Sequence, residues 1–236
     1  MELVHRLAIF FSLILFTLAF ALALTSLLTD FWIETDGLEH NGVISKAIFV
    51  HSGLFHGVRQ IDWVFGPKFK IFSVFQEIQT HISFMNKTSW IIMLFFIALG
   101  LLWTFVGLLI SLLNTVIEEI KNVTGPTGIY LWSSLSVTSH GIALALFLHQ
   151  YYGVIQENVL LEEHLTARFS SAGHVGLGFS FWLLAFGCAI QVLPIVLIFL
   201  SQTSSYRKQM HERKAGKRNL SSGAESTDAD STLFMY

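Results

Sequence analysis

The chain is poor in cysteine, proline and charge. A single cysteine, Cys188, among 236 residues excludes an intramolecular disulfide, and with it a disulfide-stapled secreted module. Three prolines against 22 phenylalanines argue against a disordered or low-complexity chain. Charged residues make up 13%, about half the roughly 25% usual in a soluble domain. Hydrophobic residues make up 53%, with mean hydropathy +0.61, which is not the balance of an ordinary soluble enzyme. The net charge of −2 supplies no overall field to recruit nucleic acid. Catalytic patterns are missing too: there is no glycine-rich phosphate loop and no His-Glu-x-x-His. Glu118-Glu119 and Glu162-Glu163 are sequence neighbours, so on a helix they point apart. The expectation is a protein with no catalytic residue, metal or cofactor.

What is present is four long uncharged runs. A membrane span needs about 20 apolar residues, and residues 7–29, 89–117, 128–152 and 178–201 each supply them. Aromatic residues mark the ends, where amphipathic rings prefer the headgroup layer: Trp32, Trp90, Tyr130, Trp132, Tyr151, Tyr152 and Tyr206. Arg6, Lys121, Arg207, Lys208, Arg213, Lys214, Lys217 and Arg218 fall on one side of such a topology. The other side carries Lys46, Arg59, Lys68, Lys70, Lys87 and Arg168, spread over longer loops. The positive-inside bias therefore places both termini in the cytoplasm. Ala21-Leu22-Ala23 has the small residues of a signal-peptide cleavage site, but the apolar run is longer than a signal core and continues past it, so the first run reads as a retained span.

The connections are unequal. Residues 1–6 form a cytoplasmic N-terminus, 30–88 a large outer loop, 118–127 a cytoplasmic turn, 153–177 a smaller outer loop and 202–236 a polar, disordered tail. In the large loop, residues 44–50 are β-prone and residues 68–73 alternate imperfectly. Gly53, Gly57 and Gly66-Pro67 read as turns. Val74, Ile78 and Ile82 trace one apolar face of a short helix leading into the second span. The fold class is thus an all-α membrane protein: a four-transmembrane-helix bundle with a small extracellular antiparallel β-sheet and a short helix in the first outer loop.

Three stretches give this architecture a family resemblance. Gly53-Leu54-Phe55-His56-Gly57 followed by Val58-Arg59-Gln60, Gly125-Pro126-Thr127-Gly128-Ile129-Tyr130-Leu131-Trp132, and Phe179-Ser180-Phe181-Trp182 occur in the order and spacing of the clarins. These are four-span proteins of the claudin-like group. The chain end, Met235-Tyr236, is similar as well. Some clarins carry a cysteine shortly after the VRQ stretch; here Ile61-Asp62-Trp63 follows, which resembles the third paralogue of the family. The loop cysteines of claudins and tetraspanins are absent. The resemblance implies a claudin-like, non-enzymatic organising or scaffold protein of the plasma membrane, with a role in sensory hair-cell membranes and hearing. The alternatives are a channel or transporter subunit and a claudin-like adhesion module.

Several residues invite a functional reading. Most of the ten histidines lie in outer loops, where ordinary hydrogen bonding is the default and no metal-ligand spacing recurs. His140 sits near mid-depth of the third span and Gln191 at similar depth in the fourth, so a hydrogen bond between the two would satisfy both. Pro194 should kink the fourth span. Asn86-Lys87-Thr88 is a glycosylation sequon on the outer face, close to the membrane. The six basic residues of the tail, Arg207, Lys208, Arg213, Lys214, Lys217 and Arg218, suit anionic lipid. Expected partners are the lipid bilayer, other membrane proteins laterally and cytoplasmic adaptor or cytoskeletal proteins through the tail, with no nucleic acid.

Overall fold

The structure is a computed structural model that describes residues 2–40, 42–45, 47–63, 66–80, 85–116, 126–166 and 168–200, together with Thr203 and Met210. The turn expected between the second and third spans, up to residue 125, lies outside the described residues, as do Ile82 and the six basic tail residues.

Among the described residues, four helices are long and apolar enough to cross a membrane. They are α1 (Glu2–Leu28), α3 (Lys87–Val116), α4 (Pro126–Gln150) and α6 (Phe179–Ile190) with its continuation over 192–200. A six-residue helix, α2 (Val74–Gln79), precedes α3, and a five-residue helix, α5 (Glu162–Thr166), lies between α4 and α6. The stretch Gly128–Ile155 has mean hydropathy 1.4, against 2.6 to 2.7 for the other three spans. The third span is therefore the most polar of the four. Pro126 is the first residue of α4, where its missing N–H costs nothing. At the far end α4 loosens into a π-helical turn, Tyr151–Ile155, and the Tyr151 hydroxyl donates to the Val175 carbonyl at 2.7 Å. The helical pattern of the fourth span is interrupted at Gln191. That position is one turn before Pro194, whose ring and missing N–H disturb the carbonyls behind it.

The two long connections build a cap on one end of the bundle. Strands β1 (Ile33–Thr35), β4 (Phe49–Ser52), β5 (His56–Trp63), β6 (Gly66–Ser73) and β8 (Val175–Leu177) form an antiparallel sheet in the order β6-β5-β4-β1-β8. Strands β2 (Leu38–His40), β3 (Val43–Ser45) and β7 (Phe169–Ser170) form a second sheet, β3-β2-β7. The expected single sheet confined to the first loop is thus two sheets, and each takes a strand from the second loop: β8 pairs with β1 and β7 with β2. Residues 169–170 and 175–177 are too short to show a strand period by themselves, so the sequence did not reveal them. The expected strand over 44–50 is split between β3 and β4. The apolar face of the short helix holds in α2, where Val74 and Ile78 are buried. Gly57, expected in a turn, lies within β5, paired with Phe72 and Ser52. Its missing side chain leaves the space that the Phe72 ring fills.

Cap and bundle share one core. Trp32, fully buried, donates its indole N–H to the Ser26 carbonyl at 2.8 Å and stands edge-on to Phe147 and Phe181. It thereby ties the end of α1 to α4 and α6. The Gly178 N–H donates to the Trp32 carbonyl, and a Cβ at Gly178 would collide with the Phe31 carbonyl oxygen. Close approach of two backbones therefore requires glycine at that position. Ser180 completes the joint: its N–H reaches the Phe31 carbonyl, its hydroxyl contacts the Thr29 hydroxyl at 2.7 Å, and its carbonyl accepts from Ser26 at 2.6 Å.

Candidate functional sites in the bundle and the cap

The first site is a polar cluster inside the bundle. Gln191 on the fourth span is buried, and both ends of its amide are used. Its Nε2 donates to the Thr104 hydroxyl of α3 at 2.6 Å, and its Oε1 accepts from the Ser136 hydroxyl of α4 at 2.6 Å. Ser133 donates its hydroxyl to the Gln191 backbone carbonyl, at the interruption of that helix. Thr104 also reaches the Gly100 carbonyl at 2.7 Å. His140 lies one turn beyond Ser136, with Nδ1 at 3.2 Å from the same hydroxyl. With the Ser136 proton on Gln191 Oε1, Nδ1–H of the imidazole donates to Ser136. The two side chains singled out in the sequence, His140 and Gln191, therefore meet through the Ser136 hydroxyl. Thr104, Ser133 and Ser136 were missed individually, because serine and threonine are common in spans. For Ser133 and Ser136 the signal was the low hydropathy of span three; Thr104, on the second span, had none.

The fit around His140 is made by a glycine on the facing helix. A Cβ at Gly100 would lie 2.6 to 2.8 Å from three atoms of the imidazole. The ring is 1% exposed, and its Nε2 has no hydrogen-bond partner. The cluster thus spends its hydrogen bonds on three helices and holds them at one level. Groups buried in such surroundings are costly unless they are satisfied.

The second region is the motif of the first long loop, residues 53–60, and it builds the cap. The Gly53 N–H donates to the His56 carbonyl at 2.8 Å, closing the turn between β4 and β5. Leu54 is fully buried and its carbonyl accepts the Trp90 indole N–H at 2.9 Å. The Phe55 carbonyl accepts from Val74 N–H, which sets the start of α2. His56 pairs with Ser73, and Val58 with His51 and Ile71. Gln60 Nε2 donates to the Ala47 carbonyl at 2.8 Å. Arg59 is 1% exposed and makes a two-pronged ion pair with Glu77 of α2, at 2.5 and 2.9 Å. Its guanidinium also lies 3.8 Å from the centre of the Phe72 ring. Both carboxylate oxygens and one aromatic face are thus committed to a single arginine.

The third region is an open groove beside the span ends, about 420 Å³, lined by Phe31, Glu34, Thr35, Asp36, Phe49 and His51. His51 is stacked between Phe31, 4.4 Å away, and Phe49, 6.0 Å away, with ring planes 9° and 13° from parallel. Phe31 in turn stacks on Phe179 at 5.0 Å. Among the described residues, no group of three His, Cys, Asp or Glu side chains is arranged to hold a metal ion.

Asn86 is exposed at the start of α3. Its side-chain carbonyl accepts the Thr88 N–H at 3.0 Å, and its own N–H donates to Gln150 Oε1 at 2.9 Å. The asparagine of the sequon therefore also caps the second span.

No family model matches the chain. Clarin-3 of Homo sapiens is 25% identical over 193 residues, which cover 79% of this chain and 82% of that protein. Clarin-3 of Mus musculus is 20% identical over 188 residues, covering 80% and 83%. With four helices able to span a membrane among the described residues and alignment over most of both lengths, the chain is similar to the clarins.

Proposed function

We propose that the chain is a non-enzymatic organising protein of the plasma membrane, with the cap outside, both termini in the cytoplasm, and contacts made laterally, through the cap and through the basic tail. The observation that carries this reading is the interlocking of the two long connections. Strands β8 and β7 from the second loop pair with β1 and β2 from the first, so the cap is one body fixed to the span ends. A rigid surface of that kind suits recognition better than gating. The clarin resemblance extends the proposal to sensory hair-cell membranes. Proximity labelling from the tail tests it, comparing the full chain with one ending at Gln202, both verified at the cell surface. Loss of adaptor or cytoskeletal neighbours on truncation supports organisation through residues 203–236. Unchanged membrane-protein neighbours move the contacts to the spans and the cap. An absence of reproducible neighbours in either form would sink the reading.

The buried cluster of Thr104, Ser136, His140 and Gln191 favours one second reading, a channel or transporter subunit. Its side chains bond to one another at a single level, whereas a conducting path needs polar groups at several depths. Reconstituted flux decides: transport lost in His140→Leu with trafficking intact would establish the second reading.

A further inference from the structure

We infer that the groove between β1, β4 and the end of α1 is a recognition site for an arginine side chain presented by a partner protein. The inference rests on the organising reading above and names the chemistry of one of its contacts.

The argument starts from register. Glu34 faces His51 across the β1–β4 ladder, and the same antiparallel register, carried two residues on, brings Asp36 beside Phe49. Glu34, Asp36, Phe49 and His51 therefore occupy one face of the sheet, while Thr35 and Val50 on the opposite face are buried. The Thr35 hydroxyl is already engaged with the Val50 backbone, at 2.8 Å from its N–H. His51 Nδ1 lies 3.0 Å from the Asp30 carbonyl. A carbonyl can only accept, so Nδ1 carries the proton and Nε2 is left as the ring's acceptor. Glu34 and Asp36 have no ion-pair partner among the described residues. The groove thus offers two carboxylates, an imidazole acceptor and aromatic rings, with no cation among its described lining residues.

Such a lining selects a ligand with positive charge and several N–H donors. A metal ion is a poor match, because these groups are not gathered closely enough to ligate one centre. A guanidinium spreads five donors over a plane, meets carboxylates in pairs and lies flat against aromatic rings. The chain shows the same chemistry internally, where Arg59 joins the Glu77 carboxylate and the Phe72 ring. The groove holds the acidic and aromatic half of that arrangement without the arginine. It is open rather than enclosed, and a free small molecule is normally buried over most of its surface. An open cleft suits the end of a side chain borne by a larger partner.

The test uses the full chain in detergent micelles with ¹⁵N-labelled histidine. The His51 resonance is assigned by its loss in His51→Gln. The probes are N-acetyl-arginine-amide, its neutral isostere N-acetyl-citrulline-amide, and N-acetyl-lysine-amide. The expected result is a saturable shift of His51 with the arginine probe, none with citrulline, and binding of the lysine probe weaker by roughly tenfold, as loss of paired charge-assisted hydrogen bonds implies. Glu34→Gln and Asp36→Asn are exposed, fold-neutral changes, and each should weaken arginine binding by a similar factor. Equal response to arginine and citrulline, or no saturable response, overturns the inference. Equal response to arginine and lysine also overturns it, since charge alone would then explain the binding. This readout does not depend on cellular neighbours, so the organising function and the arginine site can fail separately.

Discussion

Two histidines, His140 in the bundle and His51 in the cap, show how the same ring is put to opposite uses. His140 is enclosed: one nitrogen faces Ser136 and the ring presses on Gly100 of the neighbouring helix. His51 is half-buried at the wall of an open groove, held flat between two phenylalanines and pinned by the Asp30 carbonyl. In the bundle, the polar atoms of Thr104, Ser136 and Gln191 are consumed by one another and the one idle nitrogen of His140 is sealed from any ligand, so what they produce is helix position. In the cap, the fixed elements hold a ring and two carboxylates in place and leave their outward atoms unused. Closure marks a structural role and unspent acceptors mark a recognition role. The comparison can be broken or sharpened by substitution.

The largest effect is expected where cap and α2 are joined. Arg59→Ala leaves the Glu77 carboxylate, 13% exposed, without its counter-charge. Breaking a buried pair of this kind costs about 3–5 kcal/mol. The thermal midpoint of the purified protein in micelles should fall steeply, and Arg59→Met combined with Glu77→Leu should recover most of the loss, because removing both charges removes the desolvation cost as well. Failure of the double variant to recover would mean that the pair does more than hold the cap.

Next comes the enclosed histidine. Gly100→Ala drives a methyl into the imidazole of His140, and overpacking costs about 1–3 kcal/mol. His140→Ala should relieve that clash, so the double variant should be more stable than the two single losses added together predict. A strictly additive pair, read from the same thermal midpoints, would show that ring and glycine do not constrain each other.

These contacts also explain what the sequence could and could not reveal. The four spans were legible because a run of apolar residues is a local property, written in consecutive positions. The short helix at Val74 and Ile78 was legible for the same reason. His140 and Gln191 stood out because a polar side chain in an apolar run is conspicuous. Their connection through Ser136 was not legible, since it depends on the rotation of three helices about their axes. Strands β7 and β8 were hidden by their length; they exist because β1 and β2 offer free edges to them. The groove is the least local feature of all. Its walls are brought together by pairing between residues 33–36 and 49–52 and by the stacking of Phe31 on Phe179, far away in sequence.

A smaller effect should follow from Gln191→Leu. The change strands the hydroxyls of Thr104 and Ser136, yet each retains the Gly100 carbonyl as a partner. Polar contacts between membrane helices average about 0.6 kcal/mol and reach about 1.7. A modest drop in midpoint is therefore expected, with the bundle still assembled as judged by unchanged helical circular dichroism.

The smallest effect on stability, and the most informative for the comparison, belongs to Glu34→Gln and Asp36→Asn. Both side chains are exposed and make no ion pair among the described residues, so each change should move stability by less than about 0.5 kcal/mol. The same is not expected of His51→Ala, which removes the middle ring of the stack and the bond to Asp30 that pins the groove wall to the end of α1. If the two carboxylate variants melt like the parent while His51→Ala melts lower, the wall is structural and the charges in front of it are dispensable to the fold. Carboxylates that the fold does not use are what a recognition site requires. A clear loss of stability in either carboxylate variant would instead place these acids in the cap's own support, and the contrast between the closed cluster and the open groove would disappear.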